Sequence, residues 1–322
     1  MELLQQPVDR GYPVEYLLSR IKGRRSRLIT DWKTLVYEYE PLEYLAFAQY
    51  VGPITEKTPD AVWLRLAKEY QWIYAQMNAG LREVFYPFFL YSELRTLYIC
   101  LRHLQNKTIE SVNDVLEASL LSDEIKDVCA TSDDAATAIN RIEHVFLSRS
   151  GTFNGLVSRY EQEGLRGVEQ QITNSFLQHT MQQAKLHPLL REYFSLLIDS
   201  RNILALYKQL RSMGKDVTFI PGGHLIAEDL EHAGANGNLL DIGPLVKKYT
   251  GSEADVSRIT DVEKALYQTM TKFLRKAGRR ASPVGLILDY IWRCSIEAMN
   301  LSVLFQGKGL ERDEVMAELV VS

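Results

Sequence analysis

The chain has 322 residues, 46% of them hydrophobic and 24% charged, with a formal net charge of −4. That is the composition of a folded protein with an ample core, and it excludes an intrinsically disordered chain. No stretch approaches eighteen uninterrupted apolar residues, so no membrane-spanning helix is expected, and the mildly acidic balance argues against a general nucleic-acid binder.

The opening stretch, MELLQQPVDRGYPVEY, carries acids early and has no apolar segment after a basic cluster, so no signal peptide is expected. Residues 12–28 form a basic amphipathic stretch containing Arg20, Lys22, Arg24, Arg25 and Arg27, followed by short helices to about residue 49. Gly52-Pro53 and Pro59-Asp60 are breakers, and Asp60 is expected to cap a helix over 62–77. Pro87 then ends one segment and opens another over 88–105. From Ile109, three short helices are expected, broken at Leu121-Ser122 and at Thr131-Ser132-Asp133, with Ser132, Asp133 and Asp134 as caps. Two long helices follow, 165–185 and 189–213, with Gly214 closing the second. Ile220-Pro221-Gly222-Gly223 is a loop that no helix could contain. Short helices over 226–233 and 239–249 and a long pair over 259–277 and 284–305 lead to Gly307-Lys-Gly309 and a last helix over 312–320. No alternating run bounded by hairpin turns occurs, so the expected fold class is all-α.

One helix is written three times. Glu93-Leu-Arg-Thr96, Asp199-Ser-Arg-Asn202 and Glu297-Ala-Met-Asn300 are each followed by apolar residues at +4, +7 and +8 from the acid. Acid, Thr or Asn, and apolar stripe share one helical face. The copies stand 106 and 98 residues apart, close to a third of the chain, which predicts three repeats over 1–108, 109–219 and 220–322. Glu69, Glu169 and Glu263 give a second echo upstream, and Pro87, Pro188 and Pro283 break each interval. A half-buried acid costs several kcal/mol unless it is bonded, so a recurring acid implies a recurring partner. That partner is expected within the same repeat. Arg95 and Arg201 point elsewhere and are expected to be solvated.

Candidate chemistry is sparse. No phosphate-binding loop, dinucleotide fingerprint, zinc-protease motif or nucleophile elbow occurs. The six histidines, at 103, 144, 179, 187, 224 and 232, lack metal-ligand spacing. Gly222-Gly223-His224 has no Lys or Ser/Thr at the distance a phosphate loop needs, so a turn is the better reading. No catalytic residue, cofactor or metal site is therefore expected. Cys100, Cys129 and Cys294 are far apart and two fall in expected helices, which fits a reduced, cytoplasmic compartment. The densest basic run is Lys272, Arg275, Lys276, Arg279 and Arg280, preceded by Lys247 and Lys248. These cations either complement a helix C-terminus or meet an acidic partner or an anionic membrane face.

Tyr290-Ile291, Glu297, Asn300-Leu301 and Gly307-Lys-Gly309-Leu310 resemble the closing helix of a known family, the central-stalk subunit of V-type and A-type rotary ATPases, designated C in archaea and bacteria and d in eukaryotes. Asp199, Arg201-Asn202 and Phe219-Ile-Pro-Gly-Gly-His-Leu225 are similar to its second-repeat ending, and Ser19-Arg20-Ile21-Lys22 with Ser26-Arg27-Leu28 to its N-terminal arginine pattern. Ser302 departs from it, standing where the family often carries arginine. The resemblance implies three similar helical domains in a pseudo-threefold funnel. It also implies a non-catalytic socket between the rotating shaft and the membrane proteolipid ring, serving ATP-linked proton or sodium transport. A helical-repeat scaffold for protein–protein interaction is the alternative.

Overall fold

A computed structural model describes residues 3–38, 59–106, 112–149, 153–212, 218–280, 282–307 and 309–321. Of the short helices expected up to about residue 49, one is found over Trp32–Glu38, while residues 39–49, the Gly52-Pro53 breaker, the start at Ile109 and the Gly214 cap lie outside the described residues. Among the described residues the fold is all-α, with one isolated antiparallel bridge between Leu4 and Leu121. The chain groups into two compact units, Met1–Val14 with Ala67–Leu186, and Glu15–Leu66 with His187–Ser322.

The first compact unit is built round α4 (Ala79–Asn106), which follows α3 (Pro59–Gln76). Asn78 caps α4, its Oδ1 accepting from the Leu81 N–H at 2.9 Å. Pro87 does not open a new helix here but sits inside α4, contrary to the sequence expectation. A proline costs an internal helix one hydrogen bond. Burial of Phe85, Phe88 and Phe89, whose rings meet each other and those of Tyr70 and Tyr74, offsets that loss. Around α4 pack α5 (Val112–Glu117), α6 (Asp123–Thr131), α7 (Ala135–Arg149) and α8 (Leu156–Gln182). Asp134 caps α7, whereas Ser132 bonds back to the Val128 carbonyl. The run expected to begin at residue 165 is the second part of α8, set off by Gly164 with φ 68°. Asp60 stands inside the first turn of α3 rather than before it.

The second compact unit contains α1 (Val14–Arg25) from Glu15 onward, α2 (Trp32–Glu38), α9 (Pro188–Ser212), α10 (Ala227–Gly234), α11 (Ile242–Thr250), α12 (Ile259–Gly278), α13 (Pro283–Gln306) and α14 (Arg312–Glu318). Pro188 and Pro283 do open their helices, as a first-turn proline can because its missing N–H has no partner there anyway. Among the described residues, α12 and α13 form the most extensive helix pair. Their close approach needs Gly278, where an added Cβ would lie 2.6 Å from the Cβ of Asp289. A further core gathers Ile203, Leu206 and Tyr207 of α9 with Leu230, Ile242, Val246, Val262 and Leu266.

Candidate functional site

Each repeated acid is buried, at 5% exposure for Glu93, 0% for Asp199 and 2% for Glu297, and each fastens a loop. Glu93 accepts from the Ser119 hydroxyl at 2.6 Å and from the Leu120 N–H at 2.9 Å. The same loop is gripped from its other side, since the Gln5 N–H donates to the Leu120 carbonyl and the Ser122 N–H to that of Leu3. Asp199 accepts from the His224 N–H at 2.9 Å and the Leu225 N–H at 3.0 Å. Glu297 accepts from the Ile29 N–H at 2.8 Å. Burial pushes the pKa of all three upward and their hydrogen bonds oppose it; for Glu297 the result is about 8.

The residue three places on completes two of the clamps. Asn202 brackets Ile220, donating to its carbonyl and accepting from its N–H, both at 2.9 Å. Asn300 does the same to Val320, at 3.1 and 3.0 Å. Thr96 bonds Glu93 itself. The loop held by Asp199 needs Gly223, where a Cβ would stand 2.0 Å from Asp199 Oδ1.

The partners are not where the sequence pattern expects them. Ser119 and Leu120 lie past residue 108, His224 and Leu225 past 219, and Ile29 far upstream of Glu297. With the repeats cut at 108 and 219, each acid answers to the loop opening the following repeat, and the third returns to the first. In every case the held loop runs into a short helix, α6 at Asp123, α10 at Ala227 and α2 at Trp32. The physical reason is that N–H groups within a helix are already bonded, while those just before one have no intrahelical acceptor. A signal was present in the apolar pairs Leu120-Leu121, Leu225-Ile226 and Leu28-Ile29 ahead of those helices.

The echo acids diverge. Glu69 is buried, Glu263 half-buried, and Glu169 forms a two-pronged pair with Arg102 at 2.7 and 2.6 Å. Arg95 is exposed, whereas Arg201 is half-buried rather than solvated.

The basic run is divided by the fold. Lys247 pairs with Glu253 and Lys248 with Asp229, both near the end of α11. Lys272, Lys276, Arg279 and Arg280 are exposed. Arg275 instead lines a cleft with Arg293 and Glu297. Beside it, the buried Asp289 holds Arg293 at 3.0 and 3.1 Å and Arg25 at 3.1 Å. Periodicity did not associate Arg25, Asp289 and Arg293, which come from two helices distant in sequence. Among the described residues no group of three or more His, Cys, Asp or Glu is placed to hold a metal ion, and no helix is long and apolar enough to cross a membrane.

A family model described as ATP synthase (C/AC39) subunit matches residues 43–318. No curated protein matches the chain.

Proposed function

The chain belongs to the ATP synthase (C/AC39) subunit family, a family of V/A-type ATPase subunits, and from that membership we propose that it is the non-catalytic central-stalk subunit. It is a socket joining the rotating shaft to the membrane proteolipid ring, and it passes torque between them during ATP-linked transport of protons or sodium. The observation that carries this reading is the fastening made three times over, by Glu93, Asp199 and Glu297, each tying a long helix to the loop before a short one. A torque-bearing part must resist relative motion of its elements. Close-packed interiors deform little, and hydrogen bonds to a carboxylate add directional ties. On this reading the repeats 1–108, 109–219 and 220–322 make a pseudo-threefold, funnel-like body that sits at the cytoplasmic face of the membrane through the complex, without a cofactor.

The exposed cations Lys272, Lys276, Arg279 and Arg280 are the proposed partner contact, with Lys247 and Lys248 of the same compact unit contributing less because each already has an acid. Exposed charge selects orientation and speeds association without leaving a sticky apolar patch on the free chain. Changing Lys276, Arg279 and Arg280 together to glutamate is expected to leave the melting of the isolated chain unchanged and to reduce its co-purification with shaft and ring subunits. The loss should deepen as ionic strength falls, because repulsion is then unscreened. Full recovery at both low and high salt overturns the contact, and robust ATP hydrolysis by the isolated chain overturns the non-catalytic reading.

A further inference from the structure

The cleft in the second compact unit is lined by Ile29, Trp32, Thr271, Arg275, Trp292 and Glu297 among others, with about 50 Å³ open to water-sized atoms. Two polar atoms of its wall are buried without a hydrogen-bond partner, Nε of Arg275 and Oε1 of Glu297. Buried polar atoms are nearly always bonded, and leaving one unmade costs about 1–3 kcal/mol. Arg275 stands on α12 and Glu297 on α13, so a single guest in the cleft can meet both.

The surrounding charge selects the guest. Asp289 is one carboxylate already shared by Arg25 and Arg293. No acid among the described residues lies within ion-pairing distance of Arg275. Burial and then the Arg293 cation push the Arg275 pKa down; the shared Asp289 carboxylate opposes this, and the cations of Arg279 and Arg25 add to the lowering. Glu297, with its pKa at about 8, carries a proton near neutrality and presents an O–H. The other charges facing it are Arg65 on α3 and Arg293 on its own helix. Asp31 is turned to Thr34, while on α14 Asp313 accepts from Tyr37 and Glu318 pairs with Arg258. A cation would meet surplus positive charge, and an apolar guest would leave both wall atoms unmade. We propose that this cleft binds a small oxyanion, of carboxylate or phosphate type, held between Arg275 and Glu297.

Sulfate, whose charge is constant from pH 6 to 9, is the probe for calorimetric titration of the full chain against a chloride background of equal ionic strength. One saturable site is expected, weakened at least about tenfold, or 1.4 kcal/mol, by Arg275→Gln. If that variant loses its fold, Arg275→Lys carries the test, since it keeps the charge and removes the Nε–H. Wild-type affinity should fall between pH 7 and 9, as Glu297 ionises and repels the anion, and Glu297→Gln should bind at pH 7 and abolish that fall. Titration with acetylglutamate amide separates the sources: tighter binding than sulfate assigns the site to an acidic side chain of a partner, weaker binding to a free ion. The proposal is overturned by the absence of saturable binding, by unchanged affinity in both Arg275 variants, or by a flat wild-type pH profile. The titration uses the isolated chain, so its failure leaves the coupling role standing.

Discussion

Glu93 on α4 and Glu297 on α13 hold the same place in their helices, each followed three residues on by a hydrogen-bonding side chain, and both are almost fully buried. Glu93 has both oxygens engaged, by Ser119 and Leu120. Glu297 has one, Oε2 on Ile29, and turns the other into a cleft. One sequence position can therefore be spent wholly on architecture in one compact unit and be left half open in the other. What differs is the loop that arrives: one brings the Ser119 hydroxyl beside the Leu120 N–H, whereas the segment at Ile29 brings an N–H alone.

The largest effect that could break this comparison is on stability. Glu93→Ala leaves the Leu120 N–H and the Ser119 hydroxyl without their acceptor, and a loss of about 3 kcal/mol is expected. Glu297→Ala strands one donor and should cost roughly half as much. Urea unfolding followed by circular dichroism measures both, and equal losses would mean that the two acids are equivalent after all.

A second measurement sharpens it through pH. The folded-state pKa of Glu297 is raised to about 8 from an ordinary 4.5, so its proton stabilises the fold. That contribution is whole below about pH 4.5, is lost as pH rises through about 8, and is flat beyond. Between pH 5 and 8.5 the wild type should lose at least about 2 kcal/mol more than Glu297→Gln, whose amide does not titrate. Parallel stability curves for the two proteins would show that burial does not control this carboxyl.

The smallest expected effect is a control on position. Glu169 also belongs to a repeated series, but its partner Arg102 is mostly exposed. Arg102→Ala should cost less than about 1 kcal/mol, and less again in high salt. A loss rivalling that of Glu93→Ala would remove burial as the explanation for what the repeated acids do.

Much of this was legible in the residues. The apolar spacing gave the long helices over 259–277 and 284–305 nearly as found, because a 3.6-residue stripe is a property of the chain itself. The recurring acids were legible as buried and bonded, since only a partner makes a buried carboxylate tolerable. Pro87 was not legible, because its local preference for a helix start is outweighed by aromatic packing that only the folded unit supplies.

By itself, then, the sequence determined the all-α class, the positions of the repeated acids and the resemblance to a rotary-ATPase subunit. Only the tertiary structure decided what those acids hold, that Arg275 parts from its basic neighbours to line a cleft, and that Asp289 gathers Arg25 and Arg293. The physical reason is that the acids' partners are chiefly backbone N–H groups, which every residue but proline carries alike. Which of them remains unpaired, and which charges meet, is fixed only when helices distant in sequence come together.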